Sequence, residues 1–382
     1  MFLRRLFDFW SSLRLTVVCL ALAAGLVFVG TLAQVDAGVY AAQAKYFRSF
    51  LVFWTLPGTS LSLPVLPGGY LVGAALLLNL ACAHAKRFGF TKRKLGLWLI
   101  HAGLILLLLG QLATDLFRVE SSMRLTEGET KSYSEDEQKN ELAIVDTTRR
   151  HYDEVVAISE SRLAEGKDLR HPRLPFTVRV HRYWPNSVSV TAQTEPGVPL
   201  ATQGAGQRVQ FQEAPPTSST DRRNVPTAYI ELLAPTGSLG TWAVSAWLDA
   251  PQAFTHANRT YQMALRPARY YKPFSLQLIA FSHDKYTGTE IPRNFSSRLR
   301  LRRPDTGEDR EVRVYMNNPL RYAGETFYQA GYDERGARAT ILQVVRNPGW
   351  LTPYVSCTLV GVGLVVQFLT HLVGFLKERR EA

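Results

Sequence analysis

Four long apolar runs interrupt an otherwise polar chain. They lie at about residues 15–33, 68–85, 95–114 and 353–376. A helix of about 20 residues rises roughly 30 Å, which matches the hydrocarbon core of a bilayer. Because each run is almost free of charged residues, the pattern predicts four transmembrane helices.

Two of the four runs leave an alternative open. The first follows Arg4 and Arg5 and ends in residues 31–33, which resemble a cleavage site, so a removed signal peptide is the other interpretation. The apolar run is longer than a usual signal-peptide core, and this favours a retained helix. The second run contains Asn79 and is the weakest, and its alternative is a buried or interfacial helix.

The polar stretch between the third and fourth runs shows a different period. Apolar and polar residues alternate in segments 176–180, 228–233, 297–301 and 311–315. Turn sequences separate such segments, and they occur at 235–237, 304–307 and 347–349. Alternation of this kind predicts about ten antiparallel strands in an all-β domain, either a sandwich or a barrel-like sheet. Residues 203–224 are rich in Gly, Pro, Ser and Thr, and we expect a mobile loop there.

Basic residues predict the orientation of the spans. They cluster beside the same ends of the runs: Arg4, Arg5 and Arg14, then Lys86, Arg87, Lys92, Arg93 and Lys94, and finally Lys377, Arg379 and Arg380. The positive-inside rule places all three clusters, and both termini, in the cytoplasm. The expected domains are a membrane domain (1–116), an extracytoplasmic β-rich domain (117–348), and the last helix with its cytoplasmic tail (349–382). The net charge of +12 is thereby explained by orientation, and no nucleic-acid-binding motif accompanies it.

Cysteine usage excludes several kinds of chemistry. The three cysteines are Cys19, Cys82 and Cys357, and each lies within an apolar run. The expected β domain therefore has no disulfide, no Cys-x-x-Cys pair and no thiolate metal site. The chain also lacks the hydrolase elbow, the phosphate-binding loop and the dinucleotide fingerprint, so no motif favours an enzyme.

His101 is the strongest candidate functional residue. It lies in the third run, about 9 Å from the cytoplasmic end, where an ionisable side chain is costly and suggests a function. A neutral imidazole suits iron or another metal ion. The alternative is a structural histidine hydrogen-bonded to another helix, for example to Asn79.

The glycines around His101 predict a close helix contact. Gly96, Gly103 and Gly110 recur every seven residues and form one stripe, and His101 lies about 200° around the helix from that stripe. The stripe would let a neighbouring helix approach closely, although it could also face lipid. His84 and His371 are expected to be ordinary interfacial residues. The other histidines are expected on the surface of the β domain; they are His151, His171, His181, His256 and His283.

Two segments resemble the ResB (CcsB) family of cytochrome c biogenesis proteins. The first is residues 12–16 with 30–32, which resemble that family's first helix. The second is residues 318–329 with 343–349, which are similar to its signature before the last span. The arrangement of three spans, an exported domain and a final span is also similar, so the resemblance extends over essentially the whole chain.

The resemblance implies a function in cytochrome c maturation by system II. It implies that the protein binds haem b in the bacterial cytoplasmic (inner) membrane, with His101 as an axial ligand of the iron. It also implies a multi-span CcsA (ResC)-type partner that supplies the second ligand and the tryptophan-rich haem-handling segment. The client is apocytochrome c, and a separate thiol reductant is needed because the exported domain has no cysteine.

Two hypotheses of function follow from the residues and the resemblance. In the first, the chain is a haem-transfer subunit that is not an enzyme on its own, within a haem-attachment (cytochrome c synthetase) complex. In the alternative, it is a membrane-anchored scaffold or sensor whose β domain binds an exported protein without a cofactor.

Overall fold

The structure is a computed structural model of the 382-residue chain. It describes residues 2–56, 59, 61–87, 91, 94–149, 151–190, 201–217, 223–285, 288, 292–332 and 338–381. The chain divides into two compact units. The first unit holds the residues up to Val119 and those from Arg346 onward, and the second holds most of the residues between them.

The membrane unit contains eight helical and strand segments before the β unit, and one helix after it. The helices are α1 (Phe2–Trp10), α2 (Leu13–Ala37), α3 (Val39–Ala42), a π-helix (Gln43–Phe47), α4 (Gly69–Arg87), α5 (Leu95–Phe117) and α7 (Thr352–Glu381), and the strands are β1 (Leu51–Thr55) and β2 (Ser62–Pro67). Among the described residues, α2, α4, α5 and α7 are long and apolar enough to cross a membrane. Each overlaps one of the predicted runs almost completely, so the prediction of four apolar helices is confirmed.

Polar contacts within this unit fix α4 beside its neighbours. Ser12 caps the N-terminus of α2, because its side chain accepts a hydrogen bond from the Arg14 amide. At the other end of the unit, Asp115 of α5 pairs with Arg48 at 2.7 Å and accepts a hydrogen bond from Tyr70. Lys86 at the end of α4 pairs with Asp8 of α1. These contacts anchor both ends of α4.

The sequence pattern predicted no secondary structure between the first two apolar runs. The structure forms an antiparallel hairpin from β1 and β2, with Leu51 opposite Pro67 and Thr55 opposite Ser62. The residues of the two strands carry no charge, and all except Val52 are partly or fully exposed. Alternation cannot reveal such strands, because apolar residues occupy both faces.

The β unit contains fifteen strands and one short α-helix among its described residues. The helix is α6 (Glu160–Ala164), and the strands are β3 (Val119–Thr126), β4 (Thr130–Asp146), β5 (Glu154–Ser159), β6 (Thr177–Trp184), β7 (Ser187–Val190), β8 (Gln210–Glu213), β9 (Thr227–Ala234), β10 (Gly237–Ser245), β11 (Gln252–His256), β12 (Arg259–Lys285), β13 (Pro292–Arg303), β14 (Glu308–Tyr315), β15 (Leu320–Tyr322), β16 (Glu325–Tyr332) and β17 (Ala339–Arg346). The expected number of about ten was too low, because short strands such as β5 and β11 pair beside the long strands β4 and β12.

Two sequence expectations for this unit concern its loops and turns. Residues 203–224 are not one long loop, since Gly204–Gln207 forms a 3-10 helix and β8 pairs with β7. Residues 218–222 of that stretch lie outside the described residues, as do Lys92 and Arg93 of the basic cluster. The turn at 304–307 is present, with Gly307 at a φ of 68°.

The strands form one large antiparallel sheet and smaller ones. Ten strands make the large sheet, in the order β14-β13-β12-β4-β3-β17-β16-β15, with β11 also paired to β12 and β5 to β4. A second sheet has the order β10-β9-β6. Side chains of β4, β5 and β12 pack against side chains of β6, β9 and β10 in one buried core. This half of the unit is therefore a sandwich.

A second core lies within the large sheet alone. It contains Leu125 of β3, Leu276 of β12, Leu299 of β13, Phe327 of β16 and Val344 of β17. Strands from both ends of the sheet share this core, so the sheet curls almost into a barrel. The predicted alternatives, sandwich and barrel-like, each describe one half of the unit.

Candidate functional site

The glycine stripe of α5 packs against α7. A Cβ added at Gly96 would lie 2.7 Å from the backbone nitrogen of Gln367 and from the backbone oxygen of Gly363. At Gly103 it would lie 2.8 Å from Val360. The two backbones therefore touch along the stripe, as small residues permit. The prediction of a close helix contact is confirmed, and the alternative of a lipid-facing stripe is wrong.

His101 lies on another side of α5 and contacts α4. Its ring centroid is 5.4 Å from that of His84, with an angle of 76° between the ring planes. His84 also contacts Trp98, at a centroid distance of 3.7 Å. The Nδ1 atoms of both histidines are shielded from solvent. Two imidazoles and one indole thus meet between α4 and α5.

The structural alternative for His101 named Asn79, and the structure gives that amide different partners. Asn79 donates hydrogen bonds to the Trp10 carbonyl oxygen at 2.7 Å and to that of Ser12 at 3.0 Å. Its side-chain oxygen accepts a hydrogen bond from Thr16 at 2.6 Å. Asn79 therefore connects α4 to the start of α2, and the expectation of a His101–Asn79 bond is wrong.

His84 is more buried than the sequence analysis expected. It was expected at an ordinary interfacial position, but only 8% of its surface is exposed. The antiparallel register of α4 and α5 explains the pairing: Tyr70 meets Asp115, and fourteen residues further along each helix His84 meets His101. A histidine in each of two consecutive spans was the available signal, but the helix register could not be read from sequence.

The remaining histidines do not join this site. His371 is exposed on α7 and lies 2.7 Å from the Gln367 side chain. His181 lies 3.2 Å from Glu231 on the β unit. His283 is half-buried beside Phe295 and Tyr332. In the described part of the chain, no group of three or more His, Cys, Asp or Glu side chains could hold a metal ion.

The signature segment 318–329 forms part of the barrel-like core. Ala323 and Gly324 have φ values of 50° and 79° and make the two-residue turn between β15 and β16. Phe327 is fully buried, and Glu325 forms an ion pair with Lys272. Gln329 accepts a hydrogen bond from Ser297 of β13 at 2.7 Å. The described contacts of this segment therefore stabilise the sheet.

His101 carries a type of side chain that can ligate haem iron. A neutral imidazole supplies a nitrogen lone pair for iron, and burial in an apolar span favours the neutral form. The stripe of α5 is closed by the α7 backbone, so a ligand of His101 must approach from elsewhere. A histidine nitrogen is chemically suited to iron.

Comparison with known proteins gives two matches. Residues 232–338, which extend from β9 to the end of β16 and beyond, match the model of the ResB-like family. Over 123 residues, or 32% of this chain, the sequence is 32% identical to Protein NrfI of Wolinella succinogenes. That alignment spans only 13% of the length of NrfI. Over residues 232–338 the chain is therefore similar to the ResB-like family.

Proposed function

We propose that this membrane protein is the haem-transfer subunit of a cytochrome c maturation complex. Haem b is its cargo, and His101 holds the iron within the bacterial cytoplasmic membrane. The observation that carries the proposal is an imidazole placed inside an apolar span, away from the α7 contact and beside a second imidazole. An intramembrane ionisable residue of this kind is expensive, and function is its usual explanation.

The chain's own residues perform three tasks in this proposal. His101 binds the iron through a ring nitrogen, and the haem supplies the vinyl groups that are later joined to the client protein. Trp98 and His84 form part of the wall that keeps water from the His101 ring. The Gly96–Gly363 contact holds α5 against α7 and so fixes the height of His101 along the helix axis.

The basic clusters support an orientation for this transfer. Lys86 and Lys94 flank the loop next to His84 and His101, and the positive-inside rule assigns that end to the cytoplasm. Haem would then load from the cytoplasmic side, while the β domain lies outside beside the apocytochrome. A CcsA (ResC)-type partner would supply the second ligand and the path across the membrane. A separate thiol reductant would keep the client's cysteines reduced.

Cytochrome c maturation in cells tests the proposal. The chromosomal copy is replaced by His101→Ala, and covalently bound haem is measured on cytochromes c by haem staining. We expect loss of most staining, with partial recovery when imidazole in the medium fills the ligand position. His371→Ala is the matched control, because this histidine is exposed on α7 and should leave staining unchanged.

Undiminished staining with His101→Ala would remove that residue from the mechanism. The alternative function would then gain support, namely a membrane-anchored scaffold or sensor whose β domain binds an exported protein. Replacing the β domain by an unrelated one would separate these two functions, since a scaffold would lose its partner while a haem carrier would keep its pigment.

A further inference from the structure

His84 belongs to the same site as His101, although the family resemblance assigns it no task. It lies in the preceding span, is 8% exposed, and its ring lies against that of His101. A second imidazole at this depth carries the same cost as the first.

The packing of α5 limits where a planar ligand can lie. On the α7 side the backbones approach so closely that a Cβ at Gly96 would meet Gln367 and Gly363 at 2.7 Å. The contact of α5 with α4 is much less extensive than its contact with α7. A macrocycle bound to His101 and covered by this chain would therefore lie on the α4 side, where His84 is.

We propose that His84 is a second axial ligand, supplied by this chain, that holds haem iron opposite His101 before the partner's ligand engages. This inference rests on the proposed function. A metal–imidazole bond is about 2.0 Å long, so two opposed imidazole ligands have ring centroids roughly 6 Å apart. The observed separation is 5.4 Å, with ring planes at 76°, so the two rings would move apart for a macrocycle to lie between them.

Delivery of haem to the partner is then a ligand exchange. The bond between iron and the His84 nitrogen breaks, and a bond between iron and the partner's ligand forms. His101 remains bound throughout, and no electron or proton is transferred. Before this exchange both axial positions of the iron are filled, so no position is open to water or another ligand.

Haemin added to the purified full-length chain, without its partner, tests this inference. Absorption and electron paramagnetic resonance spectra report the spin state of the iron. We expect the wild type to be low-spin and six-coordinate, and His84→Phe to keep its haem but become high-spin. Imidazole added to His84→Phe should restore the low-spin spectrum. His371→Phe is the matched control and should resemble the wild type.

A second variant covers the case in which His84→Phe does not fold. His84→Met offers a thioether, which also binds haem iron, so the iron should stay low-spin with the spectral signature of an imidazole–thioether pair. A high-spin wild type, a low-spin His84→Phe, or an unchanged spectrum in His84→Met would overturn the inference. The proposed function fails separately, if the wild-type chain and its complex bind no haem or if His101→Ala binds as much as the wild type.

Discussion

The ion pair between Lys272 and Glu325 gives the most quantitative prediction for the β domain. The Lys272 side-chain nitrogen lies 2.7 Å and 2.9 Å from the two carboxylate oxygens of Glu325. The Lys272 side chain is 3% exposed and that of Glu325 is 18% exposed. Glu325→Ala would leave a buried ammonium without its counter-charge, which costs about 3–5 kcal/mol. The ammonium also lies 5.7 Å from the centre of the Phe327 ring, and this contact persists in the variant. We therefore expect the lower value, about 3 kcal/mol.

Thermal unfolding of the full-length protein in detergent measures this loss. A domain of this size loses about 2–4 °C of melting temperature per kcal/mol, so Glu325→Ala should melt about 6–12 °C lower. Glu311→Ala is the matched control, because its partner Arg298 is 4.0 Å away and both side chains are more than half exposed. An exposed pair contributes about 0–1 kcal/mol. Equal melting temperatures for the two variants would refute the argument that burial makes the Glu325 pair important.

Two further predictions concern helix packing and pH. Gly96→Ala should loosen α5 from α7 at a cost of about 1–3 kcal/mol, measured as a lower midpoint of detergent-induced unfolding, whereas Gly361→Ala should not, since a Cβ there meets nothing within 4 Å. Equal midpoints would contradict the close-contact interpretation. The hydrogen bond from Ser238, with the neighbouring His181, holds the pKa of Glu231 below its usual 4.5. Its ionised form therefore stabilises the fold above pH 4.5 and stops doing so as pH falls through the lowered pKa, so the melting-temperature difference between wild type and Glu231→Gln should shrink below pH 4.5. A difference that is constant from pH 7 to 3 would contradict this.

The membrane helices could be predicted from sequence because the apolar composition of each run is enough to indicate a spanning helix. Runs of about 20 apolar residues have few folded alternatives, and each predicted run coincides with an observed helix to within a few residues. The glycine stripe was readable for a similar reason, since its seven-residue spacing depends on one helix alone. Its partner, α7, could not be predicted, because that contact joins residues more than 200 positions apart.

The site was only partly predictable. The depth of His101 followed from its position in the run, but the nearness of His84 depends on the register between α4 and α5. Asn79 was assigned the wrong partner for the same reason, since its amide binds three groups at the end of α1 and the start of α2. In the β domain, alternation located strands such as β6 and β9, whereas the curl of the large sheet depends on contacts between β13, β16 and β17 that no local pattern contains.

The absorption spectrum of the complex purified from cells tests the central claim most directly. The chain and its multi-span partner are isolated together, and the haem bound per complex is determined for wild type, His101→Ala and the His371→Ala control. The account predicts a haem absorption band in the wild type and the control, a strongly reduced band in His101→Ala, and its return when imidazole is added. A colourless wild-type complex, or an undiminished band in His101→Ala, would contradict it.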